Sequence, residues 1–247
     1  MTETIVIKIG GQASNQLPSD FFVKVHQWQQ EGKKILVIHG GGPQINQWAH
    51  QLGLSTHKEQ GIRVTNRTTL EVTQAVLLGV VQPALCQQFS QHQLPVVGLN
   101  TRDNQLLVGH YLDQQKYGEV GQLTGVNTTW LQKVLEDYVV VLAPLVQTDD
   151  GQMLNVNADQ AAAAITTQLS ATQLIFLTDV PGILKMNQVV PQLDQAGVND
   201  LVKHQQVKAG MLPKIEAALS AVRGGARRVM ITNGLSNPGT ILASDKS

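Results

Sequence analysis

Apolar and polar positions along this chain fall into two alternating regimes. Runs of strand length dense in Val and Ile stand at "TIVIKI" (4–9), "KILVIH" (34–39), "LPVVGL" (94–99), "YVVVLAPLV" (138–146), "QLIFLTDV" (173–180) and "RRVMIT" (227–232). Several carry no polar alternation, the pattern of strands covered on both faces. Between them, helical spacing predicts helices over 19–31, 43–52, 66–92 (interrupted at Pro83), 128–137, 157–170 and 211–223. Pro18 and Ser19 mark the start of the first helix and Gly32 its stop. Strand–helix alternation of this kind predicts an α/β fold, a three-layer αβα sandwich around a mostly parallel, doubly wound sheet. "THKEQGIRVT" (56–65) and "DNQLLVGHYL" (103–112) break the alternation and read as hairpin strands over an edge or opening of the sheet. No repeat, low-complexity block or flexible linker separates lobes, so a tight boundary is placed near residue 170, dividing 1–170 from 171–247.

In sheets of this class ligands bind beyond the carboxyl ends of the strands. Gly10–Gly11 follow the first strand, Gly40–Gly41–Gly42 the second, Asp179 the fifth and Thr232–Asn233–Gly234 the last. Glycines bring backbone N–H groups close to a ligand, and helix N-termini favour anions, so the strand ends form an anion-binding rim. Lys8 stands where the first strand runs out. A lysine buried there without a partner is costly, so it needs an anion beside it.

Composition narrows the classes. Lys plus Arg and Asp plus Glu number 18 each, and aromatics make up 4% of the 247 residues. A neutral, aromatic-poor chain lacks the basic excess of a general nucleic-acid or membrane-surface binder and the rings of a base-stacking platform. The one cysteine, Cys86, lies in an apolar helical stretch and reads as a small buried hydrophobe. No CxxC or HExxH occurs, so no metal site is legible. The N-terminus lacks signal-peptide character, and no apolar run approaches the ~20 residues that span a bilayer. The expectation is a soluble, cytoplasmic protein with no nucleic-acid or membrane partner.

The "HGGGP" stretch (39–43) is ambiguous alone: an oxyanion loop would need a GxSxG elbow, and none exists. Walker A and GxGxxG patterns are also absent. "LNVNADQAAAA" (154–164) sets Asn155 before a helix, Asn157 at its N-cap and Asp159 in its first turn, where an acid also complements the helix dipole. "AGMLPKIEAAL" (209–219) puts Lys214 near a helix N-terminus, where a cation opposes the dipole and so calls for another reason to be there.

Taken in order, "IKIGG" (7–11), "VIHGGGP" (37–43), "GIRVT" (61–65), "NVNADQAA" (155–162), "TDVPGIL" (178–184), "GMLPKI" (210–215) and "GTIL" (239–242) resemble the amino-acid kinase superfamily over nearly the whole chain. "GIRVT" with "NVNAD" points to its acetylglutamate kinase branch. The resemblance implies the amino-acid kinase fold and transfer of the γ-phosphoryl group of ATP to the side-chain carboxylate of N-acetyl-L-glutamate, the second step of arginine biosynthesis through acetylated intermediates. It implies Lys8 and Lys214 as transition-state stabilisers and Asp159 as their organiser. Gly41, Gly42, Arg63 and Asn155 would hold the substrate. Gly10 and Gly11 would cradle the phosphates, and Asp179, Val180, Pro181, Gly182, Ile183, Leu184, Gln206, Val207 and Lys208 match the nucleotide loops. Mg²⁺ would travel on the nucleotide rather than on a protein metal site. Ala209 departs from the family's glycine in "GGM".

Physical chemistry fits that assignment. Two unit charges of like sign 4 Å apart repel by about 4 kcal/mol at an effective dielectric of ~20. Two lysines, the metal ion and oriented N–H groups offset this. The acceptor carboxylic acid, with a pKa near 4.3, is already ionised, so Asp159 has no proton to remove. Arg63 suits a paired grip on the α-carboxylate, and His39 and His57 are expected to be structural. The chain enters its first strand by about residue 4, without the N-terminal helix of arginine-inhibited hexamers. The expectation is a homodimer built around the helix near 66–90, without strong arginine feedback. The rivals are a kinase for acetylaminoadipate or glutamate, a non-catalytic ligand-binding module and, distantly, a hydrolase.

Overall fold

A computed structural model describes residues 3–10, 16–204, 207 and 209–243. Among the described residues eight strands build the central sheet: β1 (Thr4–Ile9), β2 (Lys34–His39), β3 (Val96–Leu99), β4 (Val139–Leu142), β5 (Gln173–Leu177), β6 (Gln192–Leu193), β7 (Arg228–Thr232) and β8 (Thr240–Leu242). Their order is β6-β8-β7-β5-β1-β2-β4-β3. Six run parallel; β8 is antiparallel to β7, and β6 runs parallel to β8. All six residues of β1 and all four of β4 are buried, as their unbroken aliphatic pattern predicts.

Helices cover both faces. On one side α1 (Ser19–Gln30) and the long helix α3 (Arg67–Gln91) pack on Ile5, Ile7, Ile35, Val37 and Val141. On the other, α4 (Thr128–Asp137), α5 (Ala158–Gln168) and α7 (Leu212–Arg223) pack on Val6, Leu36, Ile38, Phe176 and Ile231. Each fully buried aliphatic side chain contributes about 1.5–3 kcal/mol, so this double-sided core dominates the fold's stability. Phe21, Phe22 and Phe89 meet edge to face at centroid separations of 5.3–5.9 Å, locking α1 to α3. Strand parity sends Val6 and Lys8 to the α5–α7 side while Ile5, Ile7 and Ile9 face α1.

Several expected elements change. The run 138–146 is split at Ala143–Pro144: β4 stays in the central sheet, and Leu145–Gln147 joins a four-stranded sheet with Met153–Asn155, Leu107–Tyr111 and Gly121–Val126. Proline has no N–H for the ladder, so the chain changes sheets there. The stretch 103–112 is a 3₁₀ turn followed by one strand, not a hairpin of its own. The helix over 66–92 is not interrupted at Pro83. It runs on through a π-turn at Leu77–Val81, just before the proline, a local widening that accommodates the missing N–H. By length and composition α3 could cross a membrane, which corrects the reading that no segment comes near that size; half of its most apolar window is buried in this fold, so it is a core helix. Gln195–Lys203 forms a further helix, α6, that the hydrophobic pattern did not announce.

Gln82 ties α3 to the sheet: its buried amide donates to the carbonyls of Leu99 (2.9 Å) and Val141 (3.0 Å), at the carboxyl ends of β3 and β4. Replacing it by leucine keeps the bulk but strips both donors, and we expect a loss of about 1–3 kcal/mol. Urea unfolding should show a lower midpoint at unchanged slope; an unchanged midpoint would contradict the role given to this amide.

Candidate active site

β1 and β2 end side by side, and the glycines that follow continue their pairing: Gly10 N–H donates to Leu177 O and Gly40 N–H to Ile9 O, each at 3.0 Å. Lys8 leaves the sheet toward α5. A Cβ on Gly10 would stand 2.6 Å from Lys8 Nζ, so a side chain there would displace the ammonium from its present position across the strand end. Asn157 caps α5, accepting from Asp159 N (2.9 Å) and Gln160 N (3.2 Å), and this cap sets Asp159 in the first turn facing the strand ends. Pro213 opens α7, with Lys214 behind it.

These three charged groups meet. Lys8 Nζ lies 2.8 Å and Lys214 Nζ 2.9 Å from the same oxygen, Asp159 Oδ1. All three side chains are at most 15% exposed. Burial alone would raise the Asp159 carboxyl; the ammonium charges of Lys8 and Lys214 outweigh it and bring the pKa down to about 2. Burial, and then the charge of Lys8, lower the Lys214 ammonium below the ordinary lysine value in spite of Asp159. Lys214 also lies 5.4 Å from the Phe176 ring centre, which shields it from water. The cluster carries two positive charges against one negative, a surplus held in a poorly hydrated place.

The cluster opens on a cavity of about 580 Å³ lined by Lys8, Gly10, Gly41, Gly42, Arg63, Asn155 and Asp159 among others. Gly41 is the N-cap of α2 (Gly42–Gln51), whose first N–H groups have no side-chain cap. A Cβ on Gly41 would stand 2.7 Å from Leu77 Cδ2 in the π-turn of α3, so this loop is closely fitted. Arg63 is buried, donates from Nη2 to Gly42 O at 3.3 Å and has no carboxylate partner among the described residues. Asn155 is buried and donates from Nδ2 to Thr65 Oγ1 at 3.2 Å; that hydroxyl donates to Arg63 O at 2.9 Å, which links the two side chains.

The structure thus brings together Lys8, Gly10, Gly41, Gly42, Arg63, Asn155, Asp159 and Lys214. Gly11, Gln206 and Lys208 lie outside the described residues. Asp179, Val180, Pro181, Gly182, Ile183 and Leu184 follow β5 and do not line this cavity; Asp179 accepts from Thr178 Oγ1 (2.9 Å), and Ile183 N–H donates to Thr240 Oγ1 (2.8 Å). Val207 is half-buried against the α5–α7 core. His39 is buried, with Nδ1 2.9 Å from Gly40 O, and burial lowers it to about 4, which leaves it neutral.

Thr65 and Lys58 escaped sequence reasoning. Lys58–Glu59 and Ile62–Arg63 form a hairpin across Gln60–Gly61, both with positive φ, and its register sets Lys58 opposite Arg63. Cross-strand partners share a face, and like charges there repel, so the open end of the hairpin presents a paired cationic edge to the cavity. Burial, followed by the charges of Arg63 and Lys8, lowers the Lys58 ammonium. The signal was available: a two-residue turn at Gln60–Gly61 fixes that register. A Cβ on Gly61 would lie 2.6 Å from Pro213 Cγ, so the hairpin rests on the start of α7.

The model of the amino acid kinase family matches residues 3–233. The acetylglutamate kinase of Lactiplantibacillus plantarum is 46% identical over 245 residues, 99% of each chain. The crystal structure of smu.665 from Streptococcus mutans superposes with a TM-score of 0.94 at 34% identity, over 99% of this chain and 100% of that one. Carbamate kinase from Giardia lamblia bound to AMP-PNP has the same fold, with a TM-score of 0.66 at 18% identity over 99% of both chains.

Asp159→Asn keeps the shape and removes the counter-charge of two buried lysines. We expect a loss of stability of about 2–4 kcal/mol, toward the lower end of breaking a buried ion pair because the cluster is slightly exposed. A carboxyl held below its ordinary value of 3.8 stabilises the folded state above that value and loses the contribution as pH falls toward about 2. Urea titrations from pH 7 to pH 2 should therefore show a constant gap between wild type and variant that closes between about 4 and about 2. A gap already closed at pH 6 would mean that the carboxylate is not held by both lysines.

Proposed function

The chain belongs to the amino acid kinase family, and on that premise we propose that it transfers the γ-phosphoryl group of ATP to the side-chain carboxylate of N-acetyl-L-glutamate. The products are N-acetyl-L-glutamyl 5-phosphate and ADP, and the enzyme serves arginine biosynthesis in the cytoplasm. The observation that carries the reading is the shared oxygen: two ammonium groups from opposite ends of the sequence are held on one carboxylate at the wall of a glycine-lined cavity.

Each residue then has a physical task. Arg63 pairs with the α-carboxylate of the acceptor, with Asn155 beside it on the substituents of the same carbon. N–H groups of the Gly41–Gly42 turn steady the acceptor. Lys8 and Lys214 offset the repulsion between the acceptor carboxylate and the phosphates and the charge that develops as the phosphoryl group moves. Asp159 sets their spacing and stays ionised, which matches a reaction that needs no base. Gly10 gives the phosphates close backbone approach, and Gly11 continues that loop. Residues 171–247, with the segments 179–184 and 206–208, bind the nucleotide, while the acyl amino acid sits in 1–170. Mg²⁺ carried by the nucleotide adds positive charge at the phosphates. The acceptor pocket around Arg63 favours acetylglutamate over the rival carboxylates through the likeness to acetylglutamate kinases. The exposed side of α3 that carries Ala75, Gly79 and Pro83 serves as the seam of a homodimer; sedimentation should give twice the 26.8 kDa chain mass, and a monomer at micromolar concentration would reject the seam.

Trapping the acyl phosphate with hydroxylamine, with N-acetylglutamate, glutamate and acetylaminoadipate in parallel, tests the reaction directly. N-acetylglutamate should give the highest kcat/KM. Lys8→Ala or Lys214→Ala should lower kcat by about 10²- to 10³-fold. Arg63→Lys should raise KM for the acceptor and leave that for ATP nearly unchanged. Full turnover in both lysine variants, or no hydroxamate from N-acetylglutamate, would overturn the reading.

A further inference from the structure

A second basic cavity, of about 380 Å³, lies on the opposite, α1-bearing face of the sheet. Strand parity explains its position. Arg228 and Met230 of β7, with Ile175 of β5, point to the side away from α5 and α7. On that side α1 packs against β2, and the hollow is lined by residues of α1, β5, β7 and the 235–238 loop.

Its floor is apolar and its wall cationic. Ile175, Met230 and Trp28 are 2%, 4% and 7% exposed. Lys24 enters from α1, Lys33 from the turn after it and Arg228 from the start of β7. Lys33 is answered by Glu31 (2.8 Å) and Glu3 (3.5 Å). Lys24 and Arg228 form no ion pair with the described residues. The Lys24 ammonium donates to Gln27 Oε1 (3.0 Å) and lies 5.6 Å from the Trp28 ring centre, and an Arg228 Nη2 donates weakly to Met230 Sδ at 3.9 Å. Neutral partners of this kind exchange readily for an anion, because hydrogen bonds to charged groups are about twice as strong.

We propose that this cavity binds a small phosphate monoester, with the phosphate between Lys24 and Arg228 and a compact apolar body on Ile175, Met230 and Trp28. Cations arriving from separate elements suit a tetrahedral dianion better than a planar carboxylate, and the guanidinium fork of Arg228 adds a paired contact. The volume falls at the lower end of the roughly 300–1,000 Å³ of small-molecule sites, which sets the ligand class at a single compact metabolite. None of these residues belongs to the Lys8–Asp159–Lys214 cluster, so the site stands whether or not the acceptor is N-acetylglutamate.

The test is isothermal titration of the full chain with phenyl phosphate, in the presence of saturating MgADP to occupy other phosphate sites. Benzoate, phenol and inorganic phosphate serve as separate arms. Phenyl phosphate should bind one site per chain, more tightly than benzoate or inorganic phosphate, with phenol silent. Lys24→Gln/Arg228→Gln should weaken it by about tenfold or more while phosphoryl transfer stays at the wild-type rate. The single variants, each at a solvent-accessible position, should weaken it severalfold and decide the matter in the same way if the double variant folds poorly. No saturable heat up to about 10 mM, a Kd too weak for a specific site, would overturn the proposal. Equal affinity in wild type and variants, or phenol binding as tightly as phenyl phosphate, would overturn it as well.

Discussion

One oxygen atom organises this molecule: Asp159 Oδ1 accepts from two ammonium groups, one from the first strand and one from the last long helix. Like charges held this close repel strongly where water is scarce, and the carboxylate between them offsets that repulsion. The carboxylate in turn is kept ionised, at about 2, only because both lysines face it. The arrangement is self-consistent and leaves one net positive charge beside the cavity, which is what a doubly anionic encounter requires.

The rest of the fold reads as the means of bringing three segments to that point. The parity of β1 sends Lys8 to the α5–α7 face, the Asn157 cap turns Asp159 toward it, and Pro213 starts α7 so that Lys214 points inward. Glycines do the complementary work. At Gly10 a side chain would strike the Lys8 ammonium, at Gly41 it would strike Leu77, and at Gly61 it would lift the hairpin from Pro213. The π-turn in α3, which places Leu77 against Gly41, joins the same assembly from the opposite face of the sheet.

Much of this was legible in residue order because long, doubly buried strands leave an unbroken aliphatic signature and because caps and prolines mark helix starts. β1, β2, β5, β7 and the capped start of α5 are found within a few residues of where the pattern puts them. Short strands such as Met153–Asn155 and Thr240–Leu242 carry too few residues to show a period, and their pairing is decided by tertiary contact. The break at Ala143–Pro144 was hidden inside one apolar run, although proline was its visible cause. Lys8, Asp159 and Lys214 were each conspicuous, as a lysine in a buried strand, an acid in a first turn and a cation where the helix dipole opposes it. Lys58 could be placed only through the register that the Gln60–Gly61 turn sets, and Thr65 depends on a hydroxyl relay that no local pattern encodes.

The most direct measurement is a crystal structure with MgADP, N-acetyl-L-glutamate and a metal-fluoride mimic of the moving phosphoryl group. Both Nζ atoms should lie within about 3.2 Å of the mimic or of the phosphate oxygen it leaves, with Asp159 still between them. A complex with the mimic bound elsewhere, or with either ammonium bonded to Asp159 alone, would contradict the claim that these two lysines together carry the transfer.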